Sequence, residues 1–195
     1  MGKSAENAEA GSGEAVMQQE KTYEPLVHIE EVVAILNHIT ILGGLTERQL
    51  YTVFQLLQRV SYTANEIVFR QDEAASYIYI IRSGAVKIVV NMEEEPLELI
   101  TFRTGQCFGE TSVIGIQSHS ASALAVEDTE LIVLSREALL SIFDSDKELF
   151  GMLIMNIARE ACRRLHKTDE VLLHYVRTHN GNHMQESFDR SERGF

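Results

Sequence analysis

The chain has 195 residues, of which 45% are hydrophobic, and its formal net charge is −12. Length and apolar content suffice for one domain with a core and two tails. The acidic balance argues against a protein that binds the phosphate backbone of nucleic acids, because such a protein needs a basic face. No run of about 18 apolar residues occurs, so the sequence predicts no membrane-spanning helix. The two cysteines, Cys107 and Cys162, are expected to be reduced thiols in a cytoplasmic protein.

The N-terminal part predicts a tail followed by two helices. Residues 1–24 are rich in Glu, Ala, Gly and Ser, which is typical of a flexible tail. Helical spacing of apolar residues then runs from Leu26 to Ile39. Thr46 begins the second helix, because Gln49 three residues later completes a capping box. The buried face of this second helix is predicted to contain Leu50, Val53, Phe54 and Leu57.

The middle of the chain predicts a β-domain. From Val60 onward, short β-rich runs are separated by turn residues. The predicted strands are Ile67 to Phe69, Tyr77 to Ile81, Ala85 to Val90, Leu97 to Phe102, Ser122 to Val126 and Leu131 to Leu134. Many short strands at close spacing predict a sandwich or barrel. A short helix with Leu139, Leu140, Ile142 and Phe143 follows, and the domain is expected to span residues 25–144.

A long helix is predicted over residues 145–177, with Ser145 and Glu148 as its capping box. Its apolar stripe contains Phe150, Ile154, Ile157, Ala161, Thr168, Leu172 and Tyr175. A single domain rarely needs so long a helix for its own core. We therefore expect a second copy of the chain to cover the stripe, as in a coiled coil, although a helix that packs only on its own domain is the alternative. Residues 178–195 are expected to form a polar tail.

The segment from Gly105 to Glu110 carries the chemical signal. Gly109 lets the backbone approach a ligand closely. The residues from Thr111 to Ile114 can form one helical turn, whose free N–H groups would point at an anion. Glu110 can accept hydrogen bonds from sugar hydroxyls. The combination suits a ribose joined to a phosphate.

Several motifs in this order resemble the cyclic-nucleotide-binding domain of the catabolite activator protein and of protein kinase A regulatory subunits. The segment 65–73 is similar to the family's Gly-Glu-x-Ile-Phe-x-Gln-Gly-Asp, and the segment 79–86 to its Tyr-Ile-Ile-x-Ser-Gly-x-Val. Phe108-Gly109-Glu110 resembles the start of its phosphate-binding cassette, and 125–136 its closing strand. The resemblance covers residues 36–165. It implies a jelly-roll β-barrel with flanking helices, a long C-terminal dimerisation helix, and cAMP or cGMP as ligand.

The sequence departs from the family at three positions. Two family glycines are Asn65 and Asp72, and both residue types tolerate left-handed turns. The family arginine that binds phosphate stands nine residues after the cassette glutamate, where this chain has His119. Histidine is mostly neutral at pH 7, so phosphate binding is expected to be about 10- to 100-fold weaker. Protonation below about pH 6 would restore part of it.

Three interpretations remain open at this point. The site binds a cyclic nucleotide weakly, it binds a related ligand, or it is degenerate and keeps the fold for protein contacts in a dimer. The resemblance implies a ligand site that combines cassette residues with residues of the long helix. The predicted site residues are Phe108, Gly109, Glu110, Thr111, Ser112, His119, Ser120, Ala121, Arg164 and Thr168.

Two other classes of protein fit the sequence less well. A jelly-roll metalloenzyme needs a His-x-His pair, which is absent, so neither catalysis nor a metal is expected. A transcription factor of the catabolite activator type needs a further helix-turn-helix domain, and the residues after Thr178 carry no second apolar helix pair. We therefore expect no direct DNA binding, and a signal passed to an unknown protein partner.

Overall fold

The computed structural model describes residues 21–26, 35 and 38–192, with side-chain environments up to residue 178. Residues 1–20 of the predicted tail and most of the first predicted helix, Leu26 to Ile39, lie outside the described residues. The end of the expected tail is ordered. Glu24 pairs with Arg59 in an antiparallel sheet, and the ring of Tyr23 stacks on Tyr77 at 4.7 Å between centroids.

The described residues form nine strands, a single 3-10 turn and four α-helices. The strands are β1 (Glu24–Pro25), β2 (Leu57–Tyr62), β3 (Ile67–Phe69), β4 (Tyr77–Ser83), β5 (Ala85–Val90), β6 (Leu97–Arg103), β7 (Cys107–Phe108), β8 (Ser122–Ala125) and β9 (Thr129–Ser135). The 3-10 turn is Thr40–Leu42, and the helices are α1 (Glu47–Phe54), α2 (Glu110–Gly115), α3 (Arg136–Ser145) and α4 (Lys147–Glu192).

The strands form two antiparallel sheets in a jelly-roll-like arrangement. One sheet has the order β1-β2-β9-β4-β7 and the other β3-β8-β5-β6. The edge strands β7 and β3, two and three residues long, do not pair with each other in the described part of the chain. The expected barrel is therefore open rather than closed. The predicted fold class, mainly β with flanking helices and a long C-terminal helix, is confirmed.

The first sheet is buried on both faces, which follows from the alternation of side chains along a strand. In β4, Tyr79 and Ile81 pack against the second sheet, while Ile78 and Ile80 pack against the helices. The helix side of this core is formed by Leu139, Ile142, Leu149, Leu153 and Ile157. Helix α4 is thus fixed to the sheet through its first turns.

Asn65 and Asp72 adopt left-handed backbone conformations, with φ of 66° and 67°. These are the two positions at which the family has glycine. The sequence prediction that both residues tolerate positive φ is confirmed. Both turns can therefore form without glycine.

The capping box of α1 is confirmed, because the Thr46 hydroxyl accepts a hydrogen bond from the Gln49 amide and Gln49 Oε1 accepts one from the Thr46 amide. The predicted end of this helix is wrong. Helix α1 ends at Phe54, and Leu57 begins β2, which pairs with β9 from Leu57 to Tyr62. Leu57 fits the helical spacing of the preceding residues, but pairing with a strand that lies far away in the sequence decides its conformation.

The N-terminal cap of α4 lies one residue later in the chain than the sequence predicts. Asp146, not Ser145, is the cap, since its Oδ1 accepts a hydrogen bond from the Leu149 amide. The Ser145 hydroxyl instead donates to the Ser141 carbonyl inside α3. The helix continues to Glu192 rather than ending at 177. No proline lies in this stretch to stop it, and polar residues do not by themselves break a helix.

Candidate functional site

The predicted cassette folds as a strand, a left-handed glycine and a short helix. Strand β7 pairs with β4, Gly109 has φ of 80°, and Glu110 is the first residue of α2. A Cβ atom at Gly109 would lie 3.0 Å from the Tyr77 carbonyl oxygen and 3.1 Å from the Tyr79 ring. Glycine is therefore required here both by the backbone conformation and by space.

Aromatic rings form the apolar floor beneath the cassette. Phe108 is fully buried and stacks on Tyr79 at 5.0 Å and on Phe102 at 5.8 Å between ring centroids. Phe69 lies 6.0 Å from Phe108 and stacks on the imidazole of His119 at 3.6 Å. The cluster packs against the strand that leads into Gly109 and Glu110.

A cavity of about 160 Å³ lies above this floor and is called the cassette cavity here. Its wall combines apolar residues of both sheets with the cassette and one residue of α4. The lining residues are Phe69, Ile88, Ile100, Phe102, Phe108, Gly109, Glu110, Thr111, Ser112, His119, Ser120, Ala121 and Arg164. Ligand pockets usually measure about 300–1,000 Å³, so the cassette cavity is small for a nucleotide.

Glu110 supplies the only carboxylate among these lining residues, and its side chain is 1% exposed. Its Oε1 accepts a hydrogen bond from Arg164, whereas its Oε2 has no hydrogen-bond partner among the described residues. Burial raises the pKa of the Glu110 carboxyl above its usual range, Arg164 opposes this shift, and Glu160 adds to it. A buried oxygen without a partner is costly, and a ligand hydroxyl would satisfy it.

Arg164 reaches the cavity from α4. Its Nη1 lies 2.6 Å from Glu110 Oε1, and its Nη2 donates to the carbonyl oxygen of Cys107. The guanidinium carbon lies 4.7 Å from the centroid of the Phe102 ring, a cation–π distance. The same side chain also pairs with Glu160 on its own helix, at 3.3 Å.

The backbone of His119 is fixed by two hydrogen bonds, and its side chain is buried. Its amide donates to the Glu73 carbonyl at 2.9 Å, and its carbonyl accepts from the Asp72 amide at 2.8 Å. The residue is 3% exposed. Burial lowers the pKa of the imidazole below its usual range, while the nearby Glu73 carboxylate raises it. The pH at which the His119 imidazole becomes charged is therefore lower than the sequence analysis expects.

The structure brings together nine of the ten predicted site residues, since only Thr168 is absent from the lining of the cassette cavity. The exposed Thr168 instead donates a hydrogen bond to the Arg164 carbonyl one turn earlier. Sequence reasoning missed the aliphatic and aromatic lining residues of the sheets, Phe69, Ile88, Ile100 and Phe102. They are apolar residues of strands, and the sequence alone does not distinguish such residues from ordinary core residues.

A larger surface cavity of about 420 Å³ lies between Gly43 and the first turns of α4. Both polar groups of its buried Asn156 side chain have hydrogen-bond partners. The amide nitrogen donates to the carbonyls of Ile41 and Gly43, and the amide oxygen accepts from Arg159. We therefore place the candidate site in the smaller cassette cavity, where Glu110 retains an oxygen without a partner.

Two jelly-roll-like sheets, a left-handed glycine before a short helix and a buried glutamate under a long C-terminal helix agree with the fold that the resemblance to cyclic nucleotide-binding domains implies. The family model described as "Cyclic nucleotide-binding domain" matches residues 59–146. This part of the chain is therefore similar to the family's domain.

The sequence is similar to a bacterial receptor protein and to a protein kinase. It is 30% identical over 127 residues to the cyclic AMP receptor protein of Thermus thermophilus, covering 65% of this chain and 57% of that protein. It is 29% identical over 111 residues to cGMP-dependent protein kinase 2 of Mus musculus, covering 55% of this chain and 15% of the kinase. The chain thus spans less than two thirds of each of these two relatives.

Solved structures show the same fold. A cyclic nucleotide-binding domain from Methylobacillus flagellatus superposes with a TM-score of 0.66 at 20% identity, covering 74% of this chain and 82% of that one. The catabolite activator protein of Thermus thermophilus superposes with a TM-score of 0.60 at 29% identity, covering 68% and 61%.

The comparisons lend no support to the expectation that the chain does not bind DNA. A relative from Mycobacterium tuberculosis, 27% identical over 145 residues, is named a CRP-like cAMP-activated global transcriptional regulator. None of the described helices is both long and apolar enough to cross a membrane. No cluster of potential metal-binding side chains occurs among the residues whose side chains are described, 21–26, 35 and 38–178.

Proposed function

We propose that the chain is a non-catalytic regulatory module that binds a cyclic nucleotide, or a related ribose-bearing ligand, in the cassette cavity and passes the signal to a protein partner. The observation that carries this proposal is the buried Glu110 carboxylate, whose Oε2 has no partner in the described structure. A ribose hydroxyl is a donor of the right kind for this oxygen. Cytoplasmic location stays a prediction from the sequence.

The proposed ligand-contacting residues are the cassette residues of the cavity lining. Glu110 would accept from the sugar, while the amides of Gly109 and the following residues, with the hydroxyls of Thr111, Ser112 and Ser120, would face the phosphate. His119 and Ala121 complete this wall, and Phe108 supports it from below. Because His119 is buried and its pKa is lowered, the wall offers the phosphate no fixed positive charge, so the affinity should be modest.

Titration calorimetry with cAMP and cGMP at pH 7.5 and pH 6 tests this proposal. We expect saturable heat for at least one nucleotide and a smaller gain in affinity at pH 6 than an exposed histidine would give, because burial lowers the pKa of His119. Glu110→Gln should abolish binding. The matched control Glu98→Gln, which alters an exposed carboxylate on β6, should bind as the unaltered protein does.

The absence of heat up to millimolar nucleotide in the unaltered protein would favour the second candidate function, a degenerate domain that acts as a dimeric interaction module. Two observations favour it: the cassette cavity measures only about 160 Å³, and Arg164 already occupies one oxygen of Glu110. If Glu110→Gln still binds the nucleotide saturably, the proposed ligand is right but the proposed site is wrong.

Dimerisation through α4 is the second part of the proposal. Beyond the sheets, Leu165, Thr168, Leu172 and Tyr175 follow one another in alternating steps of three and four residues, which is the spacing of a coiled-coil seam. Leu165 and Leu172 are 61% and 58% exposed in the single chain. A second copy would bury this seam.

We expect Leu172→Asp to convert a dimer into a monomer, because it places a charge inside the proposed seam. Leu173→Asp is the matched control, since the adjacent Leu173 is 55% exposed but lies off the seam. Sedimentation equilibrium of the two variants measures the difference. Equal masses for both variants, or a monomeric unaltered protein, would rule out this seam.

A further inference from the structure

The described N-terminal segment, residues 21–26, lies along the outer edge of the first sheet and is called the strap here. It pairs with β2 only through Glu24 and Pro25, so its ladder is shorter than that of an ordinary strand. At its end, Leu26 is buried and its amide donates to the Leu57 carbonyl at 3.3 Å. Side-chain contacts must supply the rest of the attachment.

Lys21 fixes the first end of the strap. Its Nζ lies 2.5 Å from Glu66 Oε1 and donates to the Ser61 carbonyl at 3.0 Å. The same atom lies 4.6 Å from the centroid of the Tyr62 ring, a cation–π distance. These partners belong to β2 and to the turn between β2 and β3, so Lys21 attaches the strap to the β2 side of the sheet.

Tyr23 attaches the middle of the strap to β4 as well as to β2. Its half-buried ring stacks on Tyr77 with 4.7 Å between centroids and an interplanar angle of 13°. Its hydroxyl is hydrogen-bonded to those of Tyr62 and Tyr79, which are both buried. Burial raises the pKa of all three phenols, so they stay neutral and each can donate as well as accept. Loss of Tyr23 would deprive two buried hydroxyls of this partner, which is costly.

Tyr77 and Tyr79 are in turn the neighbours of the cassette glycine. They lie on the same face of β4, because side chains two residues apart in a strand point the same way. The Tyr77 carbonyl oxygen and the Tyr79 ring lie so close to Gly109 that a Cβ there would meet them at 3.0 and 3.1 Å. The Tyr79 ring also stacks on Phe108 at 5.0 Å. The strap thus contacts the residues that confine the start of the cassette, although Tyr23 itself does not line the cassette cavity.

We propose that Tyr23 is a positioning residue for the cassette. It holds the two tyrosines of β4 against the turn at Gly109 and thereby fixes the start of α2, where Glu110 lies. The strap influences the ligand site from outside it. The effect on ligand affinity rests on the proposed function, whereas the effect on the cassette is a property of the ligand-free protein.

Hydrogen exchange in the ligand-free protein tests the positioning. We expect Tyr23→Ala to speed amide exchange over residues 107–113 by about 10-fold, as the loss of a stacked ring and of buried hydrogen bonds implies. Amides of β5, in the second sheet, should change much less, because they report on overall stability rather than on the cassette. Unchanged exchange at the cassette, or an equal rise in β5, would overturn the proposal.

Two further variants separate Tyr23 from the strap in general. Lys21→Gln removes the anchor on the β2 side and should speed the cassette amides far less than Tyr23→Ala does. An equal rise in both variants would mean that attachment of the whole strap matters, and would refute the particular role of Tyr23. Tyr23→Phe keeps the ring and loses the hydroxyl, so an intermediate rise is expected. If circular dichroism shows that Tyr23→Ala does not fold, the presence or absence of this rise decides.

Titration calorimetry with cAMP separates the positioning from the proposed function. We expect Tyr23→Ala to bind cAMP about 10-fold more weakly than the unaltered protein, and Lys21→Gln to bind it nearly as well. Equal affinity of Tyr23→Ala and the unaltered protein, beside faster cassette exchange, would overturn the influence on the ligand. If neither the unaltered protein nor any variant binds cAMP or cGMP while the exchange pattern holds, the proposed function fails and the positioning role stands.

Discussion

His119→Arg is expected to raise the affinity for cAMP by about 10- to 100-fold, the value of one charge-assisted bond to phosphate. Position 119 is suited to such a change, because its backbone is fixed by hydrogen bonds to Glu73 and Asp72 and its side chain faces the cassette cavity. Arginine keeps its charge at every accessible pH and grips phosphate with two parallel bonds. Its planar group can also take over the stacking on Phe69.

The control for this gain is His166→Arg. His166 is exposed on α4 and does not line the cavity, and its Nε2 lies 3.5 Å from Glu170 Oε1, so arginine there has a carboxylate partner within reach. Calorimetry of both variants against the unaltered protein distinguishes a local phosphate contact from a general effect of added positive charge. An unchanged affinity in His119→Arg, with the fold intact, would show that position 119 does not face the phosphate.

Gly84→Ala is expected to destabilise the domain by about 2–5 kcal/mol, the sum of a left-handed backbone penalty and overpacking. Gly84 joins β4 to β5 with φ of 87°. A Cβ atom there would lie 2.4 Å from Thr129 Oγ1 and 2.7 Å from the Asp128 carbonyl oxygen. The hydroxyl of Thr129 is not free to move aside, because it accepts from the Ala85 amide and donates to the Glu127 carbonyl.

The matched control is Gly151→Ala on α4, where a Cβ would meet nothing within 4 Å. Alanine in a helix interior is favoured over glycine by about 0.5–1 kcal/mol, so this variant should be slightly more stable. Urea unfolding followed by circular dichroism measures both free energies. Similar values for the two variants would contradict the steric argument.

The sequence allowed the fold to be predicted where local signals agree with the final contacts. Strand β5, the capping box at Thr46 and the left-handed turns at Asn65 and Asp72 are such cases. Leu57 was assigned to a helix because its spacing from Val53 is helical, whereas its partner in β9, Leu134, decides its conformation. Strands β1 and β7, with two residues each, exist only through their partners and leave no periodicity to read.

The candidate site was predictable on the cassette side and less so on the helix side. Gly109, Glu110 and His119 follow from the resemblance to the family's cassette, and the structure places all three on one cavity. Arg164 and Thr168 are one helical turn apart, and the sequence cannot tell which of them turns inward. The rotation of α4 is set by Leu149, Leu153 and Ile157 in the core, and this rotation points Arg164 to the cavity and leaves Thr168 outside.

Helix α4 also has a mechanical consequence, because it is continuous from Lys147 to Glu192. At a rise of 1.5 Å per residue, the part beyond Arg164 is about 40 Å long. A tilt of about 10° at that point would carry its far end through about 7 Å, more than one helical pitch. The far end of the helix therefore moves much farther than the part that lies at the cavity. A small change of tilt near the cavity would therefore become a large displacement at the distant end of the helix.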